Sequence, residues 1–464
     1  MYNIKKLLSG AILLGLISFS ACSDFLEVSP SDQIPNETAV TTVGEATAAL
    51  NGVYTGFVSR YYYGTDMITY GDVRGDDMAT TFNGQRTYSQ FTFGHATALT
   101  STNGGSFWQY IYRNMNRVNN LITKIDAGSV KISTEKEQTT LDDVRGQALA
   151  LRALMHFDVL KIYGEPYLKN KSAWGAIIAD KVFSKNDKPQ RSTVEQTYTF
   201  ILGDLKEALG ISTSKVLLNK TKTNGKMSYW AAKALLARVY LYMGDYENAY
   251  KEAKDVVTNG GYSLIGNADY VNSWSQEFTT ESIFEIHSSE TDNADREGIG
   301  YVWSIDGYYA SIITKELHDI LKEDAKDVRL GLLEAEQLDN AGTMGYFINK
   351  YPGRNGNVYV NNTRVIRLSD MYLIVAEAGS RTGKSDASTY LNAIRKRANP
   401  EATDVTATLD LVMKERRKEL FGEGHRFFDI IRDLGTSTVN RVGYLPNTPI
   451  TRKDQVPVTK LKLM

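Results

Sequence analysis

Cysteine is almost absent from this chain, because Cys22 is the only one among 464 residues. A lone cysteine has no partner for a disulfide within the chain, so the fold forms without covalent cross-links. Cys22 stands where a charged and then apolar N-terminal segment gives way to a polar chain. We expect this cysteine to be consumed by modification, which excludes thiol catalysis as well.

Long apolar runs are also lacking. The N-terminal apolar stretch at 7–19 covers about 13 residues, which is too short to span a bilayer. Lys5 and Lys6 precede it and the small pair Ser20-Ala21 follows it, as in a secretory signal. No later segment has ~18 uninterrupted apolar residues. The sequence therefore predicts a signal peptide at 1–21 and no membrane-spanning segment after it.

The junction at Cys22 resembles the cleavage site of bacterial lipoproteins, where the cysteine becomes the lipidated N-terminus. Phe19 stands where leucine is usual, three residues before the cysteine. A plain secretory signal with an incidental cysteine is the alternative. Residues 22–40 contain two prolines and several small polar and acidic side chains, which indicates a tether. Acyl chains on Cys22 would anchor the protein stably to a membrane surface.

Neither sign of charge is in excess. The chain has 53 Lys and Arg residues against 54 Asp and Glu residues, and the two signs are interspersed. Nucleic-acid binding requires a basic face, which this pattern does not supply. We predict no nucleic-acid partner.

The usual motifs of metal and nucleotide sites are missing. The five histidines are dispersed, without the spacing of a zinc site. The stretch GSRTGKS at 379–385 lacks the glycine spacing and the preceding strand of a phosphate-binding loop, so we interpret it as a turn between helices. No cofactor is predicted. Calcium is left open, because loops rich in Asp and Asn could supply oxygen ligands even without EF-hand spacing.

Helical periodicity is what the sequence does contain. From 227 to 259, apolar residues recur at helical spacing on both sides of Gly244-Asp245, which predicts a hairpin that loosely resembles a tetratricopeptide unit. A second hairpin is predicted at 367–398, with Ser385 or Asp386 capping its second helix. Further helices are predicted over 107–125, 141–163 and 194–209. Such pairs indicate a short solenoid interrupted by insertions.

The insertions at 61–106 and 260–366 differ from the helices in composition. They are rich in Gly, Thr, Tyr and Asp and show no helical periodicity. The whole chain has 28 tyrosines against 16 phenylalanines, and tyrosine combines apolar ring area with a hydrogen-bonding tip. Long irregular segments on a rigid frame are where binding usually occurs. We expect the ligand site in these insertions.

Two charged segments each have two interpretations. Asp76-Asp77 is the best carboxylate pair for a glycosidase, but aspartates at a turn commonly bond backbone amides instead. The stretch 411–435 has dense charge of alternating sign, which fits either an anion site or an ion-pair network that fixes a helix end. We favour the structural interpretation for both. The charges nearly cancel in the second segment, and for the first, sequence separation does not establish that a distant carboxylate such as Glu290, Asp292 or Asp295 faces the pair across a substrate.

Seven features in order resemble the SusD/RagB family of surface lipoproteins of Bacteroidota. They are the lipobox cysteine with its tether, ATAALNGVYTGF at 46–57, FWQYIYRNMNRVNNLI at 107–122, RALMHFDVLKIYGEPYL at 152–168, the hairpin at 227–259, RLSDMYLIVAEA at 367–378 and ERRKELFGEGHRFFDIIR at 415–432. The resemblance extends over nearly the whole mature chain.

This resemblance implies a mostly α-helical, SusD-like fold for the body at 41–464. Tetratricopeptide-like helix pairs would form a scaffold at about 41–60, 107–259 and 367–435, and the loop-rich remainder would have few short strands. It also implies a non-enzymatic role at the outer membrane, lipid-anchored and exposed at the cell surface. There the protein would bind an oligosaccharide or polysaccharide and deliver it to a SusC-like TonB-dependent transporter.

In this family the ligand contacts come from the loop before the 107–125 helix and from the aromatic stretch after the IFEI strand at 283–286. By position, the candidate ligand-binding residues are Arg74, Asp76, Asp77, Asn83, Arg86, Tyr88, Tyr301, Trp303, Tyr308 and Tyr309. Sugars pack their C–H faces on flat rings and exchange hydrogen bonds with surrounding polar groups, which agrees with this composition. Trp108 lies in a helix motif and is interpreted as core.

Three alternatives remain beside glycan capture. The same scaffold could capture a peptide, as in a RagB-like lipoprotein, through backbone hydrogen bonds and acidic pockets. A glycoside hydrolase on a helical frame would use Asp77 as its best candidate carboxylate. The loops could also be purely structural.

Overall fold

The computed structural model describes residues 40–81, 85–91, 105–338, 340 and 342–434. The predictions that rest on Cys22 and Asn83 lie outside these residues. Within them, no helix is both long and apolar enough to cross a bilayer.

Helices make up most of the described chain. The α-helices, in chain order, are α1 (Val43–Val58), α2 (Asp66–Val73), α3 (Gln85–Phe91), α4 (Gly105–Asp126), α5 (Glu135–Tyr163), α6 (Tyr167–Asn170), α7 (Val194–Ala208), α8 (Tyr229–Met243), α9 (Tyr246–Asn259), α10 (Ile299–Trp303), α11 (Lys315–Lys322), α12 (Leu368–Thr382), α13 (Ala387–Ala398), α14 (Leu409–Leu420) and α15 (Arg426–Leu434). The mostly α-helical fold predicted from the sequence is confirmed.

Three long scaffold helices begin at capping boxes that are visible in the sequence. In each, a threonine side chain accepts from the backbone N–H three residues on, and the Glu or Gln at that position bonds back. The pairs are Thr42 with Glu45 before α1, Thr134 with Glu137 before α5, and Thr193 with Gln196 before α7. These bonds satisfy N–H groups that a helix start leaves without partners. The box at Thr134 makes α5 begin at Glu135, six residues before the predicted start.

The long helices pack on one another in chain order to form the scaffold. Helix α5 packs on α4 and α7, α8 on α9, α9 on α12, and α12 on α13. Small residues such as Ala249 and Ala253 are fully buried in α9, which allows close approach of neighbouring helices. The result is a short solenoid of helix pairs.

Both predicted hairpins are present, and glycine makes each turn. Gly244 after α8 has φ 73°, and Gly383 after α12 has φ 71°, in the left-handed region that favours glycine. Asp386 occupies the N-cap position of α13, as predicted. Its side chain, however, makes no hydrogen bond to the start of that helix. Its carboxylate instead accepts from Tyr250 and Lys254 of α9, which ties the two hairpins together.

The predicted insertions supply all the strands of the described chain. These are β1 (Met78–Thr80), β2 (Ser282–Ile286), β3 (Ser311–Ile313), β4 (Leu333–Gln337), β5 (Met344–Ile348) and β6 (Thr363–Arg367). They form three antiparallel pairs, β1 with β3, β2 with β6, and β4 with β5. The first pair joins the two insertions to each other.

The expectation that the insertions lack helices is wrong, because α2 and α3 lie within 61–106 and α10 and α11 lie within 260–366. Helix α2 is short and buried on nearly every side, including Met67, Ile68 and Val73. A helix that is buried all round shows no alternation of polar and apolar faces, which is why its periodicity is invisible in the sequence.

A network of buried charges holds the C-terminal helices against the rest of the molecule. Its members are Glu281, Arg329, Arg367, Arg397, Glu419 and Glu423, which we call the C-terminal ion network. Glu419 contacts Arg367 at 2.6 Å, Arg329 at 3.2 Å and also Arg397. Each charge is taken out of water but is matched by several partners, as buried ions require. The structural interpretation of the charged stretch 411–435 is confirmed.

Candidate functional site

The aromatic segment predicted to contact ligand folds back on itself. After α10 the chain turns, and the Tyr308 N–H donates to the Tyr301 carbonyl at 2.8 Å. Gly307 permits this turn, since a Cβ there would lie 1.9 Å from the Tyr301 carbonyl oxygen. The rings of Tyr301 and Tyr308 therefore meet edge to face, with centroids 5.0 Å apart.

A third ring comes from the segment between β5 and β6. Tyr359 lies with its ring centroid 5.2 Å from that of Tyr301. Its segment is held by a bond from the Gly353 N–H to Asn361 Oδ1 at 2.7 Å. All three tyrosines are partly exposed, so their rings lie at a wet surface.

Two guanidinium groups border these rings. Arg86 of α3 lies over the Tyr308 ring, with its Cζ 3.7 Å from the centroid. Arg296 is exposed, and the Tyr359 phenol beside it, together with those of Tyr301 and Tyr308, raises the pKa of this arginine. We call the group formed by Arg86, Arg296, Glu297, Tyr301, Tyr308 and Tyr359 the Tyr–Arg cluster.

Glu297 links the cluster to the end of α1. Its carboxylate contacts Arg86 and Arg60 at 2.5 Å each. Arg60 in turn lies over the Tyr61 ring at 4.8 Å, and that ring is 5.9 Å from Tyr110 of α4. The alternation of rings and charges therefore continues from the insertion onto the helical scaffold.

Asp66, at the start of α2, is a buried carboxyl close to this chain of charges. Burial raises its pKa to about 7, with Arg60 opposing and Glu297 adding to the shift. Its Oδ2 atom has no hydrogen-bond partner among the described residues. The charge next to Arg60 therefore changes near neutral pH.

The cluster provides the groups that a sugar ring uses. Flat ring faces accept C–H surfaces, and phenols and guanidinium groups exchange hydrogen bonds with hydroxyls. Within the described ranges, no three His, Cys, Asp or Glu side chains converge as metal ligands would.

The structure places Asp76 and Asp77 in a buried ion-pair cluster instead of at an open surface. Asp76 accepts two bonds from Arg426, at 2.6 and 2.9 Å, and Asp77 accepts from Arg417 at 2.5 Å. Burial opposes ionisation of Asp76, but Arg426 outweighs it and lowers the pKa of this carboxyl to about 2. A ligand in solution does not reach this pair, and neither does a glycosidic bond.

Two other predicted contacts are also buried. The Trp303 side chain is only 1% exposed and packs against Tyr351, with ring centroids 5.9 Å apart. The expectation that its ring offers a stacking face is corrected, because the core covers it. Arg74 is buried at the end of α2, with its guanidinium over the rings of Tyr70 and Phe427.

The remaining candidates fall around the cluster or apart from it. Tyr88 is 59% exposed on α3, the same helix as Arg86. Tyr309 stacks on Phe347 of β5 at 4.6 Å and adopts φ 56°, which is strained for a bulky side chain. The structure thus brings Arg86, Tyr301 and Tyr308 together and leaves the other described candidates outside the cluster.

Sequence reasoning missed half of the cluster. Arg296, Glu297 and Tyr359 were not among the candidates, although the first two lie just before the predicted aromatic stretch. Tyr359 lies more than fifty residues further on, and only the fold brings it near. Trp174 was also missed as an exposed aromatic, with 66% of its surface open to solvent. A single loop tryptophan gives no sequence signal that separates exposure from burial.

Two family models match different parts of the chain. The model described as "SusD family" matches residues 324–460, and the one described as "Starch-binding associating with outer membrane" matches residues 24–241.

Known proteins are similar over most of the chain. A crystal structure of a SusD superfamily protein from Bacteroides vulgatus has 36% identity and a TM-score of 0.78, covering 85% of this chain and 89% of that one. A laminarin-binding SusD-like protein has 25% identity and a TM-score of 0.69, covering 85% and 92%. A SusD-like protein of Bacteroides ovatus is 25% identical over 472 residues, covering 89% of this chain and 80% of the relative.

Fold and site together define a helical-scaffold protein whose candidate ligand surface lies on loops between helix pairs. The similarity to the Bacteroides vulgatus structure extends over 85% of this chain. The chain belongs to the SusD family.

Proposed function

We propose that this protein binds a glycan through the Tyr–Arg cluster. The observation that carries the proposal is the convergence of Tyr301, Tyr308 and Tyr359, partly exposed and bordered by Arg86 and Arg296. Ring faces beside fork-shaped donors suit sugars, which present C–H faces and hydroxyls on the same ring. The laminarin-binding relative supports a carbohydrate as the ligand class.

The proposal extends to a place and a partner. The protein would be anchored through lipid on Cys22 at the outer membrane and would hand its glycan to a SusC-like TonB-dependent transporter. The description of the family model that matches residues 24–241 supports the outer-membrane location. The protein would act without catalysis, since Asp76 and Asp77 are each engaged by arginine away from solvent.

Calorimetry on the purified chain from Ser23 onward tests the ligand class. The panel contains laminarin, amylopectin, arabinan, polygalacturonate, sulfated galactan and a mixture of peptides. Saturable heat with at least one polysaccharide is expected. Heat with peptides alone would replace glycan capture by peptide capture, and heat with none would contradict the proposal.

Membrane fractionation tests the anchor. Cys22→Ser should abolish acylation and move the protein from the membrane fraction to the released fraction. Ser31→Ala is the control, because it changes one side chain of the same tether without removing the cysteine. This variant should stay in the membrane fraction. Persistence of the Cys22→Ser chain in the membrane fraction would contradict lipid anchoring.

A further inference from the structure

We propose that Lys220, Lys222 and Lys226 bind the phosphate groups of lipid headgroups at the membrane that holds the anchor. These lysines lie in residues 219–227, between α7 and α8, which we call the lysine loop. The inference rests on the proposed anchor at Cys22, because only an anchored chain keeps the loop beside a membrane. It follows from the partners of the three ammonium groups.

Each ammonium group of the lysine loop lies over the ring of a tyrosine. The distances from the ammonium nitrogen to the ring centroid are 5.0 Å for Lys220 over Tyr229, 5.1 Å for Lys222 over Tyr262 and 4.1 Å for Lys226 over Tyr54. A ring face attracts a cation but carries no net charge. The three charges are therefore held in place without being neutralised.

The hydrogen-bond acceptors of the loop lysines are neutral as well. Lys222 donates to the Thr279 carbonyl at 3.0 Å, and Lys226 donates to Asn51 Oδ1 at 2.6 Å. Burial lowers the pKa of both lysines, with Glu285 opposing the shift at Lys222. An anion placed beside these ammonium groups favours their charged form and reverses that shift.

The carboxylates that adjoin the loop are matched by other cations, with one exception. The matched pairs are Asp142 with Lys215, Glu252 and Asp255 with Lys233, Glu252 also with Lys251, Glu277 with Arg354, and Glu285 with Arg364. The exception is Asp143, which accepts from the Asn219 N–H and the Gln147 amide, each at 2.7 Å, and has no cation partner among the described residues. Three ammonium groups thus stand against one carboxylate, which leaves the loop positive.

The lysine loop lies beside α1, the helix that directly follows the predicted tether. Asn51, the acceptor for Lys226, is only about 12 Å along the helix axis from its start at Val43. Glu45 is the one acidic residue of α1, and its carboxylate accepts bonds at the helix cap. The exposed stripe that contains Asn51 is uncharged and consists otherwise of Ala48, Gly52 and Thr55. No carboxylate of this stripe repels a phosphate.

Phosphate is the anion that such lysines suit. An ammonium group is a compact point charge with three donors, and lysine is a common phosphate ligand for that reason. Basic segments next to a membrane anchor are attracted to anionic headgroups, and the attraction grows with each lysine. The ammonium groups of the loop are spaced along one short segment, so they meet a plane of headgroups together.

Lysine labelling on vesicles tests the contact directly. The full acylated chain is reconstituted in phosphatidylcholine vesicles with or without phosphatidylglycerol, and reductive methylation is followed at each lysine by mass spectrometry. We expect the three loop lysines to react about 3- to 10-fold more slowly on the anionic vesicles, and the difference to vanish at high salt. Lys251, which is 75% exposed on α9, is the internal control and should react equally on both.

Two triple variants separate a local contact from net charge. The chain from Ser23 onward is sedimented with the anionic vesicles, and Lys220→Gln, Lys222→Gln and Lys226→Gln together should weaken binding by about 100-fold, or about 5-fold for each lysine. The matched control combines three changes at exposed lysines elsewhere, Lys251→Gln, Lys315→Gln and Lys326→Gln, and should bind as the parent chain does. Equal losses in the two triple variants overturn the inference.

Free phosphate is the remaining arm of the labelling experiment. If inorganic phosphate slows methylation of the loop lysines as much as the anionic vesicles do, the loop takes phosphate from solution and the headgroup contact is overturned. Equal labelling on both kinds of vesicle overturns this inference and leaves the anchor and glycan capture standing. A chain that carries no acyl group and leaves the vesicles overturns the anchor and this inference together.

Discussion

Arginine has opposite surroundings in two regions of this molecule, the C-terminal ion network and the Tyr–Arg cluster. In the network, the Arg367 side chain is 2% exposed and contacts three glutamates, so its positive charge is matched by carboxylates. In the cluster, Arg86 lies over the Tyr308 ring and shares the carboxylate of Glu297 with Arg60, and Arg296 is exposed. The same residue type therefore fixes helices in one place and leaves donors at a surface in the other.

The difference shows why charge density alone does not identify a site. The stretch 411–435 and the pair Asp76-Asp77 are the most conspicuous charged segments of the sequence, yet both are internal supports. Burying a charge costs so much free energy that it persists only with close partners. An arginine whose neighbours are rings and a phenol at a wet surface is the better indicator of a ligand.

Removing the central carboxylate of the network should have the largest effect. Glu419→Gln leaves Arg329, Arg367 and Arg397 facing one another without their shared anion. We expect the free energy of unfolding to fall by about 5 kcal/mol, near the upper range for breaking a buried pair. Urea denaturation measures this free energy of unfolding, and the exposed Glu334→Gln is the control variant. If Glu419→Gln and Glu334→Gln are equally stable, the C-terminal ion network does not stabilise the fold.

A buried ring should contribute to stability and not to binding. Trp303→Ala opens a cavity against Tyr351, so we expect a loss of about 3–4 kcal/mol in the free energy of unfolding. Glycan affinity measured below the unfolding transition should match that of the parent chain. If the variant keeps its melting temperature but binds glycan weakly, Trp303 contacts the ligand and is not a core residue.

Acid should weaken the buried ion pairs in a predictable window. The pKa of Asp76 is about 2 in the folded chain, below the value of about 3.9 expected after unfolding. The unfolded chain therefore takes up the proton first as pH falls. The contribution of Asp76, about 3 kcal/mol, is complete above pH ~5 and is lost toward pH ~1.

Asp76→Asn tests this window. At pH 7 the variant should be less stable than the parent chain, and the gap in free energy of unfolding should narrow as the pH approaches 3. Exposed Asp269→Asn should show no such convergence. A gap that stays constant between pH 7 and pH 3 would show that ionisation of Asp76 contributes nothing.

The sequence predicted the helical frame well, because amphipathic helices and their caps are local features. Gly244 and Gly383 mark the two hairpin turns, and both helices of each pair are found. Helix α2 was missed because it is buried on nearly every side, and the start of α5 was placed late because its first turns are polar.

The candidate site was predicted only in part, for a physical reason. Tyr301 and Tyr308 are close in sequence, and both lie in the aromatic stretch that the family resemblance assigns to ligand contact. Whether a ring such as Trp303 or Trp174 is covered depends on contacts from distant segments, which composition does not encode. The place of Tyr359 depends in the same way on how the segment between β5 and β6 folds over α10.

A paired calorimetric titration of Tyr308→Ala and Trp174→Ala tests the central claim most directly. The probe is whichever polysaccharide of the panel binds the parent chain. The account predicts that Tyr308→Ala weakens binding by about 5- to 30-fold, as loss of a ring contact does, while Trp174→Ala binds as the parent chain does. Unchanged affinity of Tyr308→Ala together with loss of binding by Trp174→Ala would contradict it.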